Sequence, residues 1–263
     1  MTGEIGLPEW TGRRKRPVRM SSNDTKEKVI STAIAMIHRS GLTVSLDHLN
    51  LDVLIQAAEI PRSSFYNAWS SKEEMLIDVL VRVADPGEGD GSAFDPTTFE
   101  VVKRVISQYS HKLTTADGRR EVLREAIRQA VRRNFLAIGE SKEWASYAAL
   151  VATASGLEDR EATQRIYEAL RHADERFLGK LADFYTDMLQ ELKYQPVPGV
   201  TTKMIAAIGG SVVEGLSRRH IVNPEIVDEV VMMPGIDGEP VEWHTAALGF
   251  WAIIESFIEP MDG

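Results

Sequence analysis

The sequence predicts an all-α protein of 263 residues, and three observations carry that expectation. Apolar residues recur at helical spacing in one segment after another. Capping residues precede those segments, and Gly or Pro follows them. Alternating apolar–polar runs of the kind that make half-buried strands are scarce. The organisation expected is a unit of short helices over residues 24–84, a Gly-rich linker over 85–94 and a long helical body over 95–263.

The first helix is expected over 25–40. Asp24 and Glu27 have capping-box spacing, and Val29, Ile30, Ala33, Ile34 and Ile37 share one face. Gly41 supplies the stop. A second helix over 51–58 takes Asn50 as its N-cap and turns Leu51, Leu54, Ile55 and Ala58 inward. Pro61 suits the turn or first position of a third helix, expected over 62–68 and anchored by Phe65 and Trp69. Arg62, Ser63, Ser64, Tyr66 and Asn67 are left on its other faces. Ser70 or Ser71, with Glu73 or Glu74, caps a fourth helix whose buried side is Met75, Leu76, Val79, Leu80 and Val83. Two short helices around a tight turn, the second with a hydroxyl-rich outer face, form the geometry that lays one helix in the major groove of DNA.

Ahead of this unit stand Arg13-Arg14-Lys15-Arg16 and Arg19, among Pro8, Gly12 and Pro17. The sequence predicts a flexible basic arm over residues 1–23, making sequence-independent phosphate contacts. Net charge is −9, which argues against a generic polyanion binder, but the charge is uneven. Residues 1–82 carry eleven Lys/Arg against ten Asp/Glu, leaving −10 for the remainder, so the head would be oriented towards a polyanion.

Residues 24–83 resemble the N-terminal domain of the TetR family of transcriptional regulators. The resemblance lies in the first helix ending at Gly41, the 54–60 element, the 62–69 helix with its central Phe65-Tyr66, and Ser71-Lys72-Glu73 opening helix four. It implies an all-helical homodimer that binds an inverted-repeat operator in double-stranded DNA, acts as a repressor, and is released by a small-molecule effector in the C-terminal domain. Carried over by position, the DNA-binding face is Arg62, Ser63, Ser64, Tyr66, Asn67 and Lys72, assisted by Arg13, Arg14 and Arg16. Ser45 and His48 are lesser phosphate candidates. The chain departs from the family at Glu59, where Gly is usual, in a longer 42–49 link, and at Trp69, where Phe is common.

In the body, helices are expected over 97–113, 119–138, 141–154, 159–192, 201–219 and 242–258, punctuated by Gly118, Gly139, Gly156 and the 196–199 and 233–235 turns. The last is apolar nearly all round and needs burial on more than one side. Ile208, Val212, Leu216, Phe250, Trp251 and Ile254 are therefore the expected dimerisation residues, in keeping with the family's interface of final helices. Tyr109, Phe135, Trp144, Tyr147, Tyr167 and Phe184 fall on the helices that bracket the family's effector cavity and are the candidate ligand-binding residues.

The chain has no cysteine, so disulfides and thiolate metal sites are excluded. Its six His show no metal-ligand spacing, and no metal or cofactor is expected. No apolar run spans a membrane and no secretory h-region is present; a cytoplasmic protein is expected. Gly-rich phosphate loops, GxSxG and HExxH are missing, so no enzymatic activity is expected. The rival reading is a helical ligand- or protein-binding module of the same fold that does not bind DNA.

Overall fold

The structure, a computed structural model, describes residues 20–40, 50–87 and 95–261. The basic arm with Arg13, Arg14 and Arg16, the 42–49 link, Gly41 and most of the Gly-rich linker lie outside the described residues.

The head comprises α1 (Ser22–Ser40), α2 (Leu51–Ala57), α3 (Arg62–Ala68) and α4 (Lys72–Ala84). Helix α1 is capped one turn earlier than expected. Ser21 Oγ accepts from the Asp24 N–H at 3.0 Å, and Asp24 Oδ2 accepts from the Ser21 N–H at 3.2 Å. Asp24 is thus the reciprocal partner in the box rather than the cap. Glu27, freed of that role, pairs with Arg82 of α4 at 2.8 Å. The other two caps match their residues: Asn50 Oδ1 accepts from the Asp52 and Val53 N–H groups, and Ser71 Oγ from Glu74 N–H. One core holds the head together, with Val29, Ala33, Ile37, Leu54, Phe65, Trp69, Met75 and Val79 fully enclosed.

The body runs α5 (Pro96–Gln108), a single 3₁₀ turn at Ser110–Lys112, α6 (Ala116–Glu140), α7 (Lys142–Ala154) and α8 (Arg160–Glu191). There follow β1 (Tyr194–Pro196), α9 (Thr202–Val222), α10 (Pro224–Asp228), β2 (Val230–Pro234), β3 (Pro240–His244), α11 (Thr245–Phe257) and β4 (Ile258–Pro260). Its main core is built chiefly by α5, α6, α9 and α11.

Three sequence expectations change. Gly118 and Gly139 lie inside α6 rather than bounding it. Gly118 sits where a Cβ would run into the Lys112 carbonyl, so it serves close approach, not chain reversal. The 3₁₀ turn ends α5 before residue 113, because the chain must bend there to enter α6. The final helix starts at Thr245: Trp243 and His244, apolar enough to look helical, instead end β3, which pairs antiparallel with β2 in the register Val230↔His244 and Pro234↔Pro240. A second two-stranded ladder joins β1 to β4, Tyr194 opposite Pro260. These short strands and α10 were not expected from the sequence.

Helix α4 belongs to both halves. Its Leu80 and Ala84 pack with Leu150 and Ala154 of α7 and Ile166, Ala169 and Leu170 of α8 in a separate apolar cluster. Asp85, just beyond α4, pairs with Arg176 of α8 through both guanidinium nitrogens. The head is therefore joined to the body by packing along α4, whatever the Gly-rich segment does.

Candidate nucleic-acid interface

The α2–α3 turn orients everything downstream. Glu59 N–H donates to Gln56 O at 3.0 Å and Ile60 N–H to Ile55 O at 3.3 Å, the paired bonds of a Schellman motif. Ile55 and Ile60 are both buried, supplying its customary apolar contact. Glu59 holds φ +50°, so the backbone adopts the left-handed turn that Gly would allow, with Glu in its place. Such a φ costs a non-Gly residue roughly 1–2 kcal/mol. Lys28 pairs with the Glu59 carboxylate at 3.6 Å.

Beyond the turn, α3 is two-faced. Phe65 is fully buried, Trp69 nearly so, and their rings stack at 5.3 Å between centroids. Arg62, Ser63, Tyr66 and Asn67 are exposed and Ser64 is half-buried, so the five residues predicted to face outward share one short helix. Lys72 is half-buried at the first turn of α4, where helix N–H groups and dipole also favour an anion.

Arg62 is not idle in the free chain. Its Nη1 donates to Asp52 Oδ1 of α2 at 2.8 Å, and its Cζ lies 5.9 Å from the Tyr66 ring centre. A hydrogen bond with Tyr66, and then the Asp52 charge, hold its pKa above the ordinary value. Asp52, which sequence reasoning missed, is the anion that Arg62 holds in the free chain. Its spacing from Arg62 crosses the turn, and no short-range pattern reports it.

Asp78 of α4 fixes the far end of α3. It accepts from Trp69 Nε1 at 2.8 Å and from Arg165 of α8 at 2.7 Å, with Lys26 of α1 at 3.4 Å. Lys26 also lies 5.3 Å over the Trp69 ring. Burial alone would raise the Asp78 pKa, but the bonds from Trp69 and Arg165 and the two cationic charges outweigh it and hold it low. A hollow of about 840 Å³ adjoins this network between α1, α4 and α8, and much of its lining charge is already paired internally.

The predicted ligand residues do not converge. Trp144 and Tyr147 line a cavity of about 800 Å³ bounded by α1, α4, α7, α8 and α9 and shared with Phe177, Asp174 and Glu214. The other four lie elsewhere. Phe135 is wedged against His244 and His220, at 4.5 and 5.6 Å between centroids. Phe184 meets Phe99 edge to face, Tyr109 packs on the main body core, and Tyr167 is exposed. Burial raises the pKa of Tyr147, Asp174 and Glu214 around the cavity.

Of the predicted dimerisation residues, Phe250, Trp251 and Ile254 are buried in the chain's own core. Helix α11 finds its second partner in α6 and α9 of the same chain, and Phe250 lies so close to Gly209 that a Cβ there would strike its ring. Ile208 is exposed, and Val212 and Leu216 are half-buried.

No protein-family model and no curated protein matches this chain. Among solved structures, it is similar to a TetR-family transcriptional regulator from Cytophaga hutchinsonii, at 13% identity over 91% of this chain and 98% of that one, with a TM-score of 0.46. The reduced form of E. coli NemR aligns at 13% identity over 90% of this chain and 99% of that chain, with a TM-score of 0.45. SmeT, the repressor of the Stenotrophomonas maltophilia multidrug efflux pump SmeDEF, aligns at 15% identity over 90% and 92%, with a TM-score of 0.40. At such identities and superpositions the function has to come from the residues themselves. The chain is similar, over nine-tenths of its length, to solved structures of transcriptional regulators, the TetR family among them.

Proposed function

We propose that the protein is a sequence-specific DNA-binding transcriptional regulator, acting as a homodimer and most simply as a repressor released by a small molecule. The single observation that carries the reading is the two-faced α3. Phe65 and Trp69 lock it into the head core, and Arg62, Ser63, Tyr66 and Asn67 stand together on its free side. A helix held from behind with polar groups in front, preceded by a Schellman turn and a supporting helix of the same length, suits major-groove entry. Arg62 is the base reader, with bidentate guanine contact contributing about 1–3 kcal/mol of discrimination. Ser63, Ser64, Tyr66, Asn67 and Lys72 meet phosphates or neighbouring base edges, and Arg13, Arg14 and Arg16 add phosphate contacts from the arm.

The dimer contact is assigned to the exposed side of α9 at Ile208, with Val212 and Leu216 at its margin. The cavity flanked by Trp144 and Tyr147 is the effector site, because it touches both α1 and the α4 end. A ligand there acts by binding the DNA-free arrangement more tightly, and a preference of about 1.4–2.8 kcal/mol gives ten- to hundredfold release.

Selection of the full chain against random duplex DNA at two salt concentrations tests the reading, with the double variant Arg62→Ala/Tyr66→Ala alongside. An inverted repeat enriched by the wild type and lost in the variant is the expected result. Equal enrichment by both, or none, overturns DNA reading by α3 and leaves a non-DNA-binding ligand or protein module.

A further inference from the structure

Ser146 of α7 departs from the other helical hydroxyls of the chain. Those commonly satisfy themselves on the carbonyl one turn back: Thr153 on Ala149 O at 2.8 Å, Ser211 on Ala207 O at 2.8 Å and Ser256 on Ala252 O at 2.9 Å. Ser146 is only 4% exposed, yet its hydroxyl has no hydrogen-bond partner among the described residues. It opens instead onto the cavity of about 800 Å³ flanked by Trp144 and Tyr147. A buried hydroxyl is ordinarily paired, and the cavity is where a partner for this one can sit.

The rest of the lining is of two kinds. Trp144, which is buried, and the half-buried Tyr147 and Phe177 supply aromatic rings. Asp174 of α8 and Glu214 of α9 supply two carboxylates, the first exposed at the edge and the second half-buried. Their charges bear on each other and on the Tyr147 hydroxyl, so α7, α8 and α9 bring these three groups to one part of the cavity. Neither carboxylate is neutralised in place. Asp174 has no ion-pair partner among the described residues, and Lys203 acts on it only from a distance. Glu214 has Arg218 at 3.6 Å, itself largely exposed, and burial pushes the Glu214 carboxyl up in spite of that charge. The cations of the lining are engaged elsewhere or face water. Arg82 pairs with Glu27 and Arg176 with Asp85, the charge of His38 bears on Glu143, and Lys180 is exposed.

We infer that this cavity takes an organic cation, a primary or secondary amine on an aromatic body, with its ammonium held by Asp174 and Glu214 and a second polar group on the Ser146 hydroxyl. This rests on the reading of the cavity as the ligand site, and not on DNA reading by α3. A ligand carboxylate would be set beside two like charges, and a neutral body would cover the two carboxylates without pairing them. A cation compensates both, and rings such as those of Trp144, Tyr147 and Phe177 attract it further. The volume is that of a site for a drug-sized molecule.

Dansylcadaverine, a fluorescent primary amine, is the probe, set against its neutral N-acetyl derivative and the anionic dansyl-6-aminohexanoate. Fluorescence titration of the full chain without DNA should show saturable binding of the amine, on the order of tenfold tighter than either analogue. Asp174→Asn/Glu214→Gln should abolish that preference, and Ser146→Ala should weaken the amine by roughly three- to tenfold, with circular dichroism to confirm folding. No saturable binding of the amine, equal binding of all three probes by the wild type, or a preference that survives the double variant overturns the cation site. An unaffected Ser146→Ala overturns the hydroxyl contact. The wild-type comparison decides the charge of the ligand however the variants fold. An amine that binds but leaves operator affinity unchanged supports the cation site and overturns effector release. Amine binding by a chain that selects no DNA supports the site and overturns only the regulator reading.

Discussion

Trp69 and Asp78 are joined by an indole N–H···carboxylate bond of 2.8 Å, which ties the end of α3 to the helix shared by head and body. The other Asp78 oxygen takes Arg165 of α8 at 2.7 Å. One carboxylate therefore links the base-reading element of the proposed function to the longest helix of the body.

Removing that carboxylate should cost stability. Asp78→Ala leaves the Trp69 N–H and two cations without their acceptor, a loss of about 1–3 kcal/mol given the partial burial, readable by urea denaturation. The acid limb tests the same group. Its folded pKa is depressed, so its contribution is present above the ordinary carboxylate value and fades as pH falls through the folded value. An Asp78→Asn variant should lack that part of the acid slope.

On the proposed function, Asp52 competes with DNA for Arg62. Asp52→Ala frees the guanidinium and removes a negative charge from the proposed phosphate-facing surface. Both groups are exposed and the pair contributes little to stability, so operator binding should tighten by only a few-fold at low salt and less as salt rises. Unchanged or weaker binding by fluorescence anisotropy would place DNA elsewhere.

Glu59 should be replaceable with profit. Relief of roughly 1–2 kcal/mol of left-handed strain is set against about 0.4–1 kcal/mol of extra unfolded-chain entropy. The exposed Lys28 pair contributes little. Glu59→Gly should therefore raise stability by about 0.5 kcal/mol, while Glu59→Val, β-branched at the same φ, should lower it. Thermal midpoints of the two variants, moving in opposite directions, check the turn.

The head was legible because its signals are local. Asn50, Pro61 and Ser71 mark element ends within three residues of the groups they serve, and Phe65 and Trp69 repeat at helical spacing. What stayed hidden is long-range. The Arg62–Asp52 and Trp69–Asp78 pairs each form across a change of direction in the chain. The hairpin escaped because Trp243 and His244 extend the apolar pattern of α11 backwards, and only packing on α6 makes them strand. Helix membership does not place an aromatic ring in a cavity; that depends on which way the ring turns, and Phe135 turns to His244 and His220. The apolar sequence of α11 suggests burial on more than one side. Only one arc of the helix, Ala246, Ala247, Phe250, Trp251 and Ile254, is buried, against α6 and α9 of the same chain, and Ala252, Glu255 and Ser256 on the opposite side are exposed.

His244 sets the last prediction. It is buried, its Nδ1 accepts from the Ala246 N–H at 3.2 Å as the N-cap of α11, and its Nε2 lies 4.0 Å from Asp228. A ring accepting at Nδ1 is neutral there. Burial lowers its pKa; the Asp228 charge works against this, and nearby Arg132 and His220 add to it. Below the ordinary His value near 6.5 the unfolded chain takes up a proton that the folded chain refuses, so stability falls as pH drops from that value towards the depressed one. Protonation also removes the cap acceptor. His244→Asn keeps a side-chain acceptor for Ala246 and removes the titration. It should therefore flatten the stability profile between about pH 5 and 7, at the cost of about 1 kcal/mol or more for the lost packing on Phe135. Urea midpoints for both proteins at pH 5, 6 and 7 decide it: parallel profiles would mean that His244 is charged or solvated in the folded protein, and the cap is not the pH-sensitive element.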